Sequence, residues 1–296
     1  MSEANRRVEL ENVFVPSRID RNVATFSGPH FGGPAVVERV YGGCTAAQAC
    51  NAVRAICSPL VVRTVKVNFI APGGADVPAD YVVDWCYDSD VLTINGYQKG
   101  RLFVTGKATV GNPNNFLETT LFKMPSIQSP LAYPTLKHCM ATTPDPKPWN
   151  VFRTLAEANW FEVRAVDFDG IISELRPDRP MCFWATLSSE YRDKASLERA
   201  DGVSVIMLLS DYLLGCPALV NRALIRSHVQ FDGGASLNHI VTFHTHLIDG
   251  TGWFLYEAIC NVEANNKYLM HGRIYTEEGE HVASVIQEAY SPSAKL

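Results

Sequence analysis

The sequence SLNHIVTFH at residues 236–244 opens the part of the chain that decides the fold. It is followed by WFLYE at 253–257, HGRIY at 271–275 and VASVIQE at 282–288. These segments are rich in Val, Ile, Tyr, Phe and Trp, and turn-forming residues separate them. The pattern predicts an antiparallel meander that carries polar side chains at chosen points along otherwise apolar strands.

The same order of elements occurs twice along the chain. In the first half, strand candidates at 8–11 and 23–26 precede an Ala-rich helix that starts at Tyr41-Gly42-Gly43, and strand-like runs follow at 61–70, 81–85, 91–94 and 102–110. In the second half, strand candidates at 161–166 and 181–186 precede a short helix at 195–200, an apolar helix at 202–214 and then the meander. A helix wrapped by antiparallel sheet, present twice, predicts an α+β tandem repeat.

A proline-rich stretch separates the two repeats. It contains Pro125, Pro130, Pro134, Pro144, Pro146 and Pro148. Proline is excluded from helix interiors and from central strands, so the stretch is typical of a linker. We therefore expect an N-terminal unit at 1–124, a linker at 125–150 and a C-terminal unit at 151–296.

Composition excludes several classes of protein. A formal net charge of −5 argues against a nucleic-acid binder, which needs a basic surface. No window of the sequence reaches the roughly 18 uninterrupted apolar residues that a membrane span requires, and the N-terminus lacks the apolar core of a secretory signal. The eight cysteines form no C-x-x-C pair, which favours buried free thiols in a reducing compartment.

Two further features bear on metals and on location. His244 and His246 form a possible metal-binding pair, but no third ligand is evident, so we expect no metal site. The C-terminal Ala294-Lys295-Leu296 differs at one residue from the S-K-L address that directs proteins to peroxisomes. We expect recognition by the peroxisomal import receptor, with a cytoplasmic location as the alternative.

Candidate catalytic residues stand out as polar side chains in apolar segments. The chain has no G-x-S-x-G elbow, Walker loop, G-x-G-x-x-G or H-E-x-x-H motif. Asp211 lies inside the most apolar helix, where a carboxylate is costly unless it is hydrogen-bonded. Gln287 interrupts an apolar strand, and Ser236 opens the meander. If the helix lies in the concavity of the sheet, these three side chains converge and can hold a water molecule for direct hydrolysis, with Asp211 as general base.

Several motifs resemble the type II acyl-CoA thioesterases, the family of bacterial TesB-like and peroxisomal enzymes with a double hotdog fold. The resemblance rests on Ser236-Leu237-Asn238-His239 with Phe243-His244, and on the segments LYE, HGRIY and ASVIQE at 255–257, 271–275 and 283–288. It also rests on the SDYL motif at 210–213 and on Tyr41-Gly42-Gly43 followed by Gln48-Ala49, which is similar to a Phe-Gly-Gly motif.

The resemblance implies a function and a set of site residues. It implies an α+β tandem hotdog that hydrolyses fatty acyl-CoA to a fatty acid and CoA without a cofactor, and it places the family's catalytic Asp, Ser or Thr, and Gln at Asp211, Ser236 and Gln287. Gly42, Gly43 and His239 are candidates for substrate contact, since a helix that starts with glycines exposes backbone N–H groups to a ligand. A homo-oligomer is also implied.

The resemblance has departures and leaves alternatives open. Asn238 stands where the family usually has Asp, and Thr242 where it has Trp. In the first half, Asn51 and Ala108 occupy the positions of Asp211 and Gln287, so we expect one working site. Cations for the CoA phosphates are only guessed, from the set Lys99, Arg101, Arg222 and Arg226. The alternatives are a non-catalytic acyl-CoA or lipid-binding protein and an enoyl-CoA hydratase.

Overall fold

The computed structural model describes residues 9–33, 37–85, 89–115, 122–143, 150–174, 178–192, 201–225 and 234–290. Within these ranges the α-helices are α1 Leu10–Phe14, α2 Gly42–Cys57, α3 Leu136–Thr142, α4 Asn150–Ala158, α5 Phe168–Ser173, α6 Ser189–Arg192, α7 Gly202–Tyr212 and α8 Cys216–Ile225. The strands are β1 Arg18–Asp20, β2 Val23–Phe26, β3 Val61–Phe69, β4 Ala79–Trp85, β5 Val91–Gln98, β6 Arg101–Gly111, β7 Phe161–Ala165, β8 Met181–Leu187, β9 Ala235–Phe243, β10 Phe254–Ala264, β11 Lys267–Thr276 and β12 His281–Tyr290.

All of these strands belong to a single antiparallel sheet. Its order is β1-β2-β4-β5-β6-β3-β9-β12-β11-β10-β8-β7, so the first six strands come from one half of the chain and the last six from the other. The halves meet where β3 pairs with β9, from Thr64 opposite Thr242 to Asn68 opposite Asn238. This continuous sheet allows the two long helices to lie side by side.

Helices α2 and α7 form the centre of the core and pack against each other. Helix α2 is rich in Ala, Cys and Gly, whose small side chains allow the sheet and the second helix to approach closely. The sequence of α7, GVSVIMLLSDY, is apolar on nearly all sides, which is typical of a helix that is buried all round. The predicted tandem arrangement of a helix wrapped by antiparallel sheet is confirmed.

Two local predictions differ from the structure or fall outside it. The strand predicted at 8–11 is wrong, because α1 starts at Leu10 and buries Leu10, Val13 and Phe14 along one helical face. The short helix predicted at 195–200 lies outside the described residues.

The predicted linker contains a helix. Helix α3 occupies the proline-free interval between Pro134 and Pro144, and Thr135 caps it by accepting a hydrogen bond from the His138 N–H. Upstream of α3, Met124, Ile127 and Tyr133 pack against a small cluster centred on Trp184. The stretch therefore covers part of the second half, and the boundaries of the two units stay a prediction.

The described residues contain one segment that is long and apolar enough to cross a membrane, Gly202–Ile225. Its most apolar window is 83% buried inside the fold, as expected of a core helix. The seven cysteines in the described ranges are free thiols, and five of them are buried. Cys86 lies outside those ranges.

Candidate active site

Asp211 is the single residue of α7 that is not buried. The sheet and α2 enclose the rest of the helix, so solvent reaches α7 only at this carboxylate. Two tyrosines lie close enough to this carboxylate for its charge to change their pKa. Burial raises the pKa of Tyr41 and of Tyr256 well above the usual range, and the negative charge of Asp211 is the second cause of this increase. Both phenols therefore stay neutral, and both donate to backbone carbonyls of α7, at Leu208 and Ser210.

The structure brings Asp211, Ser236 and Gln287 together. The Ser236 hydroxyl, near the start of β9, donates to Asp211 Oδ1 over 3.4 Å, and the Gln287 amide nitrogen, on β12, donates to Ser236 Oγ over 2.9 Å. Gln287 is 3% exposed, whereas Asp211 and Ser236 are partly open. A carboxylate, a hydroxyl and an amide thus converge from one helix and two strands, and together they can hold one water molecule.

The first glycine of α2 lies against this carboxylate, and the second lies against the backbone of α7. A Cβ atom on Gly42 would lie 2.6 Å from Asp211 Oδ2 and 3.4 Å from the Phe69 ring, so only glycine leaves room for the acid there. A Cβ on Gly43 would lie 2.8 Å from the Leu208 carbonyl oxygen, which shows how closely α2 approaches α7. Tyr41 precedes the helix without a side-chain capping hydrogen bond, and amides of a first helical turn have no intrahelical acceptor. These N–H groups are suited to bind a ligand oxygen.

His239 lies behind the three residues and is 1% exposed. Its Nδ1 hydrogen-bonds to Gln287 Oε1, and its Nε2 lies 2.7 Å from Ser210 Oγ. Burial lowers the pKa of His239, although the Asp211 charge opposes this effect, so the ring is neutral at physiological pH. Ser210 belongs to the SDYL motif but was not predicted to take part in the site; the available signal was a second polar residue next to Asp211 in an apolar helix.

The other predicted histidines lie away from this cluster. His244 Nε2 is 2.9 Å from Ser284 Oγ, and its ring centroid lies 4.4 Å from that of His281. Burial lowers the pKa of His244, and burial together with the His244 charge lowers that of His281 to about 4. Among the described residues, no group of three His, Cys, Asp or Glu side chains is arranged to hold a metal ion.

The first half carries different residues at the positions that match Asp211, His239 and Gln287. Asn51 stands nine residues after Gly42, as Asp211 stands nine residues after Gly202. In the sheet, Val65 pairs with Ala108 at the place where His239 pairs with Gln287, two residues beyond a bulge in each half. All of these first-half side chains are buried, and only Asn51 is polar.

The candidate cations for CoA are dispersed. Arg222 is 6% exposed and donates to the Tyr268 hydroxyl, so it is part of the interior. Lys99 and Arg101 are exposed at the turn between β5 and β6. Arg226 lies outside the described residues.

Comparison with protein families gives two matches that together extend over most of the chain. Residues 132–291, more than half of the chain, match the acyl-CoA thioesterase C-terminal domain. Residues 32–88 match the acyl-CoA thioesterase N-terminal domain. The three candidate catalytic residues all fall in the first of these segments.

Solved structures share the fold at low sequence identity. Acyl-CoA thioesterase II TesB2 of Mycobacterium marinum is 21% identical, with a TM-score of 0.72 over 97% of this chain and 99% of that chain. The TesB protein of Mycobacterium avium subspecies paratuberculosis is 20% identical, with a TM-score of 0.71 over 95% and 97%. A hotdog-fold protein of unknown function from Alicyclobacillus acidocaldarius is 18% identical, with a TM-score of 0.71 over 96% and 98%. The architecture is accordingly a tandem hotdog.

Proposed function

This chain belongs to the acyl-CoA thioesterase family and is a thioester hydrolase, and from its geometry we propose that it hydrolyses fatty acyl-CoA with a water molecule held by Asp211, Ser236 and Gln287. The products are a free fatty acid and CoA. The observation that carries the proposal is the position of Asp211. One of its carboxylate oxygens accepts from Ser236, and the other lies against Gly42 at the uncapped start of α2.

In the proposed reaction the water attacks the thioester carbonyl carbon directly. Asp211 accepts a proton from the water as the new C–O bond forms, and the carbon–sulfur bond then breaks. The proton passes to the departing sulfur, which leaves as the thiol of CoA. Ser236 and Gln287 orient the water, so the hydroxyl of Ser236 serves as a hydrogen-bonding group and forms no acyl intermediate.

The negative charge that develops on the carbonyl oxygen needs donors. The N–H groups of Gly42 and Gly43 suit this role, because they begin a helix whose dipole favours an anion and whose first residue carries no side chain. Phe69, which lies next to Gly42, is a partly exposed apolar surface for the acyl chain. Substrate contact is thus assigned to the start of α2.

Release of CoA from acyl-CoA thioesters of short, medium and long chain tests this proposal. The wild type is compared with Asp211→Asn and with Asp201→Asn, a matched control at the other end of the same helix. Asp211→Asn should lower kcat by roughly 10²–10⁴-fold, the usual contribution of a general base, while Asp201→Asn stays near wild type. Equal rates for Asp211→Asn and the wild type would remove Asp211 from the mechanism.

The same experiment decides between hydrolysis and its two alternatives. A non-catalytic acyl-CoA or lipid-binding protein would bind acyl-CoA in calorimetry without releasing thiol. A hydratase would consume enoyl-CoA absorbance without releasing thiol. The geometry favours hydrolysis over hydration, because both ring nitrogens of His239, the histidine of this cluster, are already hydrogen-bonded and offer no free acid or base.

The location and assembly of the enzyme form the remaining part of the proposal. Ala294-Lys295-Leu296, which lies outside the described residues, is proposed as the signal for peroxisomal import, and a cytoplasmic location is the alternative. Deletion of these three residues should shift a fluorescent fusion of this protein from peroxisomes to the cytosol. A homo-oligomer is also proposed, and light scattering of the purified protein measures its mass.

A further inference from the structure

A chain of hydrogen bonds extends behind the proposed water site into the core. It starts at Ser210 in α7, passes through His239 on β9 and Gln287 on β12, and ends at Ser236 and Asp211. Ser210, His239 and Gln287 are 0%, 1% and 3% exposed. His239 and Gln287 are directly opposite each other in the sheet, so the contact is built into the pairing of the two strands.

The direction of the bonds from Asp211 to His239 follows from one requirement, and that of the last bond, to Ser210, follows from the neutrality of the ring. A carboxylate only accepts, so the Ser236 hydroxyl must donate to Asp211. Ser236 Oγ then accepts from the Gln287 amide nitrogen, which turns the amide oxygen toward His239. His239 must therefore carry a proton on Nδ1, and in the neutral ring Nε2 accepts from Ser210.

The Ser210 hydroxyl has a second neighbour, which does not alter this result. Its oxygen lies 2.8 Å from the Met207 carbonyl oxygen as well as 2.7 Å from His239 Nε2, and it has one proton to donate. With the ring neutral, that proton is directed to Nε2. If the ring were charged, the hydroxyl would accept from Nε2 and donate to Met207, and Nδ1 would still donate to Gln287.

We propose that His239 and Ser210 are positioning residues that hold the Gln287 amide with its nitrogen toward Ser236 and the attacking water. This inference rests on the proposed function. The sequence predicted His239 as a substrate-contact residue, and we assign it instead to the support of Gln287. A fully buried ring whose two nitrogens are both hydrogen-bonded has no free group for acyl-CoA. Without this support the amide could rotate and present oxygen to Ser236, which would leave Ser236 no proton for Asp211.

The first half of the molecule indicates that these polar residues belong to the site and are not a requirement of the fold. At the matching place in the sheet, Val65 and Ala108 pair with no polar atom in their side chains, and both are 1% exposed. The hotdog unit is therefore built equally well around an apolar pair. A buried polar pair is costly unless it is fully satisfied, so a polar pair at this sheet position in the second half alone points to function.

A pair of substitutions with the same branched skeleton of side-chain heavy atoms separates positioning from packing. The side-chain amide of His239→Asn places a donor near the position of Nδ1, whereas His239→Leu removes it. We expect His239→Leu to lower kcat by about 10- to 100-fold with KM within about twofold, since small displacements of reacting groups have effects of this size. His239→Asn should recover most of kcat. Equal losses of kcat in both variants, or a loss expressed mainly in KM, would overturn the proposal.

Two serines of α7 provide a milder test that does not depend on substitution of the ring. Ser210→Ala removes the last member of the chain, and Ser204→Ala removes a hydroxyl that is equally buried but bonded to Asn51 and Asp201 instead. Ser210→Ala should lower kcat about 3- to 10-fold, a small displacement effect, with Ser204→Ala within about twofold of wild type. If the two variants have the same kcat, Ser210 has no positioning role.

The tautomer of His239 is measured without any substrate. Nitrogen-15 spectra of the histidine-labelled wild type, assigned with His239→Asn, should show a neutral ring at pH 7 with the proton on Nδ1. A proton on Nε2 alone would contradict the derived direction of the chain. Because this spectrum is independent of turnover, a failure of the proposed hydrolysis in the Asp211→Asn assay is distinguishable from a failure of the positioning role.

Discussion

The two central helices begin in opposite ways, although they have the same place in their two halves. Helix α2 starts at Gly42 without a side-chain cap and faces the carboxylate of Asp211. Helix α7 starts at Gly202 after Asp201, whose carboxylate accepts from the Ser204 N–H. The first start has no side-chain acceptor for its N–H groups, whereas the carboxylate of Asp201 satisfies one N–H group of the second.

The start of α7 is also closed by its neighbours. Arg54 forms an ion pair with Asp201 over 2.8 Å and donates to Asn51 over 3.0 Å. A Cβ on Gly202 would lie 2.4 Å from the Ile248 carbonyl oxygen. The comparison teaches that the fold provides two equivalent places for a site, and that a few side chains leave one helix start uncapped and close the other.

Exchange of the acid and the amide between the halves should have the largest effect. Asp211→Asn combined with Asn51→Asp should lose roughly 10²–10⁴-fold in kcat, because the new acid lacks partners equivalent to His239 and Gln287 and lies beside a closed helix start. Steady-state CoA release measures this. Recovery of activity in the double variant beyond that of Asp211→Asn alone would show that the first half retains a usable site.

Adding a methyl group at each helix start should separate catalysis from packing. Gly42→Ala places a carbon 2.6 Å from Asp211 Oδ2, which can rotate away, so kcat should fall about 10- to 100-fold with little loss of stability. Gly202→Ala meets Ile248, so it should cost about 1–3 kcal/mol in the free energy of unfolding while the folded enzyme stays active. Denaturant unfolding and kcat on the same samples check both. Loss of stability in Gly42→Ala with unchanged kcat would contradict this assignment.

Acid should destabilise the second half more than the first. Burial lowers the pKa of His239, His244 and His281 there, and of His30 in the first half. The unfolded chain takes up protons near pH 6.5, while the native rings do so at lower pH, so stability falls as the pH falls from about 6.5 toward 4.

The melting temperature measured from pH 7 to pH 4.5 tests this acid sensitivity. The decrease should be smaller in His281→Leu, which removes the histidine with the pKa of about 4. Hydrogen exchange should locate the first acid-induced opening in β9–β12. An identical pH profile for His281→Leu and the wild type would exclude this histidine as a source of the effect.

The ion pair of the closed helix start should have the smallest effect. Arg54→Ala removes a pair whose side chains are 34% and 43% exposed, and such pairs contribute about 0–1 kcal/mol. Activity should stay at the wild-type level, because Arg54 lies at the start of α7, away from the proposed site. A decrease in kcat with unchanged stability would indicate that this side takes part in the reaction.

The sequence predicted which polar side chains lie together in the candidate site better than it predicted their surroundings. Asp211 and Gln287 were found because each interrupts an apolar segment, and such a residue needs a local reason to be there. The proposed role of Ser210 was not predicted, because a hydroxyl in a helix can be satisfied by the helix itself. The closed start of α7 was not predicted either, since no sequence pattern around Asp201 indicates that Arg54 forms an ion pair with it.

By itself the sequence determined the two central helices and the strands of the sheet apart from β1, because helical and strand periodicity and turn chemistry are local properties of the chain. It determined that an Ala-rich helix begins with two glycines, and that a second, apolar helix carries one acid. Only the tertiary structure decided that the acid lies against the glycines of the other half. That contact depends on β3 pairing with β9, a long-range pairing that sets the two helices side by side and that no local pattern specifies.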